Sequence, residues 1–115
     1  MKTAGPIPLR AAQRERRVDY RLKYPPALSP VLKLGPHEHQ VLDISEFGIR
    51  FATGPDHPTP GQRFRATVKF RHAPARSVTG CIVRISGQDI AAQLDRGIDF
   101  QVIAREHDWV MMQRP

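Results

Sequence analysis

Polar and apolar residues alternate with a period of two along the middle of the chain. The clearest run covers residues 63–71, where Phe64, Ala66, Val68 and Phe70 share one face and Arg63, Arg65, Thr67, Lys69 and Arg71 the other. That alternation is the mark of a half-buried antiparallel strand. Residues 78–85 and 90–94 read as two more strands, joined across the hairpin residues Ser86-Gly87-Gln88-Asp89. Residues 39–44 and 48–53 form another pair, broken at Ser45-Glu46-Phe47-Gly48, and residues 28–34 a first strand that Pro30 confines to an edge or a bend. After Asp95-Arg96-Gly97 the period becomes helical, with Phe100, Ile103, Ala104, His107, Val110 and Met111 at offsets of three and four. This predicts an amphipathic helix over 97–112. Six short strands and one terminal helix predict an all-β fold, a six-stranded antiparallel β-barrel over 27–95 with a helical lid.

The first 24 residues break the pattern. They carry seven Lys and Arg against Glu15 and Asp19, with few large apolar side chains, and end at Pro25-Pro26. Like charges four apart, Arg10/Arg14 and Arg17/Arg21, disfavour a helix, and the proline pair forbids its continuation. The expected organisation is a flexible tail over 1–13 and a domain over 14–115, whose first part, 14–24, is a mobile basic arm.

Charge sharpens this picture. The 115 residues hold 18 Lys and Arg against 11 Asp and Glu, a net charge of +7, and the apolar share of 40% is that of an ordinary folded domain. One cysteine, Cys81, excludes an internal disulfide framework and a multi-thiolate zinc site. No early apolar run resembles a signal peptide and no stretch is long enough to span a membrane, so a cytoplasmic protein is expected. Cys81 is expected in the core, as are Trp109, Met111 and Met112 against the barrel. His37 and His39 share a strand face without a third ligand nearby in sequence, and no nucleophile elbow, phosphate loop or zinc-protease motif is present. No cofactor, metal or catalytic activity is expected.

Two motifs carry chemistry. Arg16-Arg17-Val18-Asp19-Tyr20-Arg21 concentrates guanidinium groups, which bind phosphate in bidentate fashion and match the O6/N7 edge of guanine. Asp43-Ile44-Ser45-Glu46-Phe47-Gly48 joins two strands. Its carboxylate can face guanine N–H donors or hold an arginine in place, Ser45 adds a hydroxyl, and Gly48 can take a positive φ and lets a ligand approach the backbone. Ile44 and Phe47 would point inward.

Taken in this order, Arg-Arg-x-x-x-Arg followed by D-x-S-x-x-G in the first hairpin of a six-strand barrel resembles the PilZ domain family. Residues 80–85 and 90–98 and the terminal helix are similar to the last strands and lid of that split-barrel fold. The resemblance, over roughly residues 14–112, implies a bacterial, non-enzymatic receptor for the second messenger cyclic di-GMP. In it Arg17 and Arg21 match the two motif arginines, and Asp43, Ser45 and Gly48 the second motif. Arg16 stands where an extra arginine accompanies binding of a stacked, intercalated ligand dimer. The arm would order on binding and alter a surface read by a downstream protein. Two alternatives stand beside this reading: an adaptor of the same fold that works by protein contacts alone, and a basic barrel that binds single-stranded nucleic acid. The supply of only eight aromatic residues disfavours the second.

Overall fold

Each alternating run becomes a strand, and the strands close on themselves. The computed structural model describes residues 20–54 and 58–113. Strands β1 (Leu22–Lys23), β2 (Val31–Leu34), β3 (His37–Ile44), β4 (Gly48–Ala52), β5 (Arg63–Lys69), β6 (Arg76–Ser86) and β7 (Asp89–Leu94) precede one helix, α1 (Phe100–Met112). The order β3-β2-β5-β6-β7-β4 returns to β3 through a β3–β4 pairing, so six antiparallel strands form a closed barrel. Closure gives each of the six strands a neighbour on both sides over at least part of its length. The hairpin turns β2–β3 and β6–β7 each use a glycine in the left-handed region, Gly35 and Gly87, both at φ 62°.

Inward positions match the alternation. Phe64, Ala66, Val68 and Phe70 of the β5 run are buried, and Val41, Ile49, Phe51, Ile82 and Ile90 complete the interior with no exposed surface or nearly none. Burying a side chain such as Phe51 contributes about 2 to 3 kcal/mol.

Two β-bulges reverse this alternation locally. Val41 pairs with Phe51, but the next pair is Asp43 with Arg50, so Leu42 is an extra residue. Ile82 pairs with Ala92 and Arg84 with Ala91, which makes Val83 extra. Strict alternation from Val41 would aim Asp43 at the core; the bulge turns it to the outer surface beside Arg50 and returns Ile44 to the interior. The second bulge likewise puts Arg84 outside.

The start of the domain differs from the expectation. Residues 20–24 do not stand off as an arm. Leu22 and Lys23 pair with Ile44 and Asp43 of β3, on the same edge as β2 and beyond the point where the β2 pairing stops at Gln40. Leu22 and Tyr24 are buried in the core, and the Tyr24 hydroxyl donates to Glu106 Oε1 of α1 at 2.9 Å. The Tyr20 ring meets His107 edge-on at 5.9 Å. Two apolar side chains were enough to anchor this segment once β3 offered an open edge. Residues 1–19, which contain the rest of the proposed arm and tail, lie outside the described residues.

Helix α1 begins three residues later than the periodicity suggested, because the Asp99 side chain caps it by accepting from the Gln101 amide at 2.9 Å. Its inner face holds Phe100, Ile103, Ala104, Val110 and, against expectation, Glu106. Trp109 stacks on His72 with ring centroids 5.4 Å apart, while Met111 and Met112 are exposed. Cys81 is only half-buried, because Gly80 and Ile82 take the inward positions on either side of it.

Glu106 makes a pH prediction. It is fully buried, and Oε2 has no hydrogen-bond partner among the described residues. Burial raises its carboxyl above the usual value, opposed by the Tyr24 hydrogen bond and by His72. Above the ordinary carboxyl range the unfolded chain loses this proton first, so the folded state binds more protons and stability falls as pH rises through the window up to the raised value. Glu106→Gln removes that loss. The melting-temperature difference, variant minus wild type, should therefore grow as pH rises above the ordinary carboxyl range; a pH-independent difference would contradict the assignment.

Candidate functional site

The outer surface of β1, β3, β4, β7 and the end of β6 forms an open groove of about 630 Å³. Arg21, Lys23, Arg50 and Arg84 supply its cations, Asp43, Ser45 and Gly48 its base, and Phe47 and Val83 its exposed apolar side chains. The segment from Tyr20 to Tyr24 positions Arg21 by strand geometry, since Leu22 and Tyr24 face inward and Arg21 and Lys23 face the groove.

Asp43 is the organising residue. It is 2% exposed yet faces the groove, covered by two guanidinium groups. Arg21 donates from Nε at 2.9 Å to Oδ1, with its Nη2 at 2.8 Å. Arg50 donates from Nε at 2.8 Å to Oδ2 and from Nη1 at 2.7 Å to Asp89 Oδ2. Arg21 Nη1 also donates to Ser45 Oγ at 3.3 Å. Of the two roles open to the carboxylate, the geometry has it holding arginines, since both of its oxygens accept from them.

The turn after Asp43 is tied down by its backbone. Ser45 N–H donates to Gly48 O at 2.9 Å, Leu94 N–H to Phe47 O at 2.9 Å, and Ile98 N–H to Glu46 O at 2.7 Å. Gly48 is not in the left-handed region, so the expected positive φ is not its reason for being glycine. A Cβ there would lie 3.1 Å from Ser45 Oγ and 3.2 Å from Arg21 Nη1; the missing side chain makes room for the guanidinium. Phe47, expected in the core, is 46% exposed, because the turn carries it over Gly97 and out beside the groove.

Of the residues singled out in the sequence, Arg21, Asp43, Ser45 and Gly48 therefore meet in one cluster. Arg16 and Arg17 lie outside the described residues. Sequence reasoning missed Arg50, Arg84 and Lys23. Arg50 could have been found as the cross-strand partner of Asp43 had the bulge been foreseen; Arg84 depends on the second bulge and left no local signal. His37 and His39 do lie together, with rings 6.4 Å apart, but no group of three or more His, Cys, Asp or Glu able to hold a metal occurs among the described residues. No helix among them is long and apolar enough to cross a membrane.

Four cations and two carboxylates leave the groove with excess positive charge. Guanidinium groups already oriented by Asp43 and still partly exposed, 41% for Arg21 and 32% for Arg50, can grip an anion at little further ordering cost.

Comparison with known proteins agrees on the architecture. The family model of the PilZ domain matches residues 12–110. Comparison with curated proteins finds no match. Among solved structures, the crystal structure of an uncharacterized Legionella protein superposes with a TM-score of 0.61 at 14% identity, covering 78% of this chain and 96% of that one. That likeness is one of fold.

Proposed function

Because the chain belongs to the PilZ domain family, whose model spans nearly all of it, we propose that it is a non-enzymatic receptor for cyclic di-GMP. The observation that carries this reading is the Asp43 carboxylate holding Arg21 against Ser45 and Gly48 at the base of a basic groove. Arg21, with Arg17 from the preceding segment, grips the phosphates and the O6/N7 edge of guanine. Asp43 and Ser45 orient Arg21, and Gly48 leaves the space it occupies. Phe47 and Val83 offer apolar surface to the bases. Arg16 adds the charge and stacking plane for a second, intercalated ligand molecule. Ligand charge offsets the repulsion within the arginine segment, orders it over the groove and alters the surface presented to a downstream protein.

Isothermal titration with cyclic di-GMP tests the reading, with GTP, cyclic AMP and a short single-stranded DNA as controls. Selective, saturable binding is expected, lost in Arg21→Ala with a smaller fall in melting temperature than in Asp43→Ala, because Arg50 still pairs with the carboxylate. Arg16→Ala should lower the stoichiometry from two ligands toward one. An absence of heat and of any thermal shift with cyclic di-GMP would overturn the receptor reading in favour of an adaptor that works by protein contacts, and a salt-sensitive preference for the DNA would favour a nucleic-acid-binding barrel.

A further inference from the structure

A second basic surface lies away from the nucleotide groove, where β6 begins. A cavity of about 380 Å³ there is lined by Arg65, Arg76, Thr79 and Arg96 together with the buried Val78 and Ile98. A neighbouring one of about 470 Å³ is lined by Arg105 and Val102 of α1 and shares Arg76 and Ser77 with the first. The two form a continuous cleft between the start of β6 and the helix.

Its four arginines are uncompensated. Arg65, Arg76, Arg96 and Arg105 make no ion pair among the described residues. Nearby carboxylates are engaged elsewhere: Asp95 with Arg63 and Thr79, Asp99 with the cap of α1. One charge is enough to protect a strand edge from unwanted pairing. Four around an apolar base form an anion-attracting surface.

Among the described residues, the same cleft contains an open strand edge. β5 covers one edge of β6 from Arg76 to Cys81, but β7 covers the other only from Gly80 to Ser86. Among the described residues, the last bond on that side runs from Asp95 N–H to Thr79 O at 2.9 Å, after which the chain turns away toward Ile98. Backbone groups two residues apart point to the same edge. Ser77 N–H and C=O therefore face the cleft, in line with the direction β7 abandons, and Ser77 lines both cavities.

We propose that this cleft binds an extended acidic segment of a partner protein, added as a short strand beside Ser77, with acidic side chains on the four arginines and apolar ones against Val78, Ile98 and Val102. Strand addition supplies main-chain hydrogen bonds, and the alternation of the added strand supplies specificity. A second copy of this chain is a poor occupant, because it carries a net charge of +7. A nucleic acid would satisfy the arginines but not the backbone edge or the apolar base. The proposal stands independently of the nucleotide reading, since none of its residues lines that groove.

Fluorescence anisotropy of the full chain tests it, using a labelled peptide of alternating glutamate and valine, a matched lysine–valine peptide and an oligothymidine, at about 0.15 M salt. The acidic peptide alone should bind. Arg76→Glu and Arg96→Glu should each weaken it by at least about tenfold, as expected for loss of a charge-assisted contact. Ser77→Pro removes only the N–H that faces the cleft, keeps the β5 ladder, and should weaken the peptide similarly while the melting temperature and any cyclic di-GMP binding stay unchanged. Failure of the acidic peptide to bind would overturn the proposal. So would full affinity in Ser77→Pro, or tighter binding of oligothymidine that depends on the same arginines.

Discussion

Asp43→Ala is expected to abolish cyclic di-GMP binding in titration calorimetry and to lower the melting temperature measurably. The carboxylate accepts from Arg21 on one oxygen and from Arg50 on the other, so its removal frees two groove cations at once. A charge-assisted hydrogen bond is worth about 1.5 to 3 kcal/mol, and misplacing two such donors predicts a loss of roughly 10²- to 10⁴-fold in affinity. Stability should fall by less than the ~3 to 5 kcal/mol of breaking a fully buried ion pair, because Arg21 and Arg50 remain 41% and 32% exposed and water can take the place of the carboxylate. A loss of about 1 to 2 kcal/mol is expected. Asp43→Asn keeps the shape and one acceptor and should lie between wild type and alanine in both measurements. Wild-type affinity in Asp43→Ala would show that the arginines find their positions without it.

Gly80→Ala should be strongly destabilising. A Cβ at Gly80 would sit 2.2 Å from the Gln93 carbonyl oxygen and 3.2 Å from Leu94 Cα. These are backbone atoms of the paired strand β7, held by the Cys81–Gln93 pairing, and they cannot rotate away as a side chain would. The β6–β7 ladder must separate or the barrel must shear. The cost is about 3 kcal/mol, at the upper end of overpacking substitutions, or about 12 to 24 °C in melting temperature for a domain of this size. Gly54→Ala is the control. No atom of the described residues lies within 4 Å of a Cβ there and the backbone is not left-handed, so its effect should be within about 0.5 kcal/mol. Equal thermal shifts for the two variants would contradict the close strand crossing.

Much of the architecture was legible in the amino-acid order. A face of Phe64, Ala66, Val68 and Phe70 can be satisfied only by an interior on one side of a sheet, and the Ser86–Asp89 turn dictates the hairpin that follows. The helical period after Gly97 likewise specified a terminal helix, although its inner face admitted Glu106, which no hydrophobicity pattern would place there. The 20–24 segment carries no strand signal of its own, and the reason is physical. Its two anchoring residues, Leu22 and Tyr24, are too few to register as a strand, and their stability comes from the free edge of β3 and from α1, more than 80 residues later in the chain in the case of Glu106.

The site divides the same way. The residue types of Arg21, Asp43, Ser45 and Gly48, and their suitability for phosphate and guanine, are properties of the sequence alone, because guanidinium and carboxylate chemistry does not depend on the fold. Which way those side chains face was decided only in three dimensions. Side-chain direction in a strand has a period of two, so one extra residue reverses it, and the extra residues at Leu42 and Val83 are what bring Asp43 and Arg84 onto the same outer surface. Barrel closure then sets Arg50 across from Asp43 and opens the basic groove. Sequence determined the alternation, the hairpins and the chemistry; the register of distant strands, which no local pattern encodes, determined where that chemistry meets.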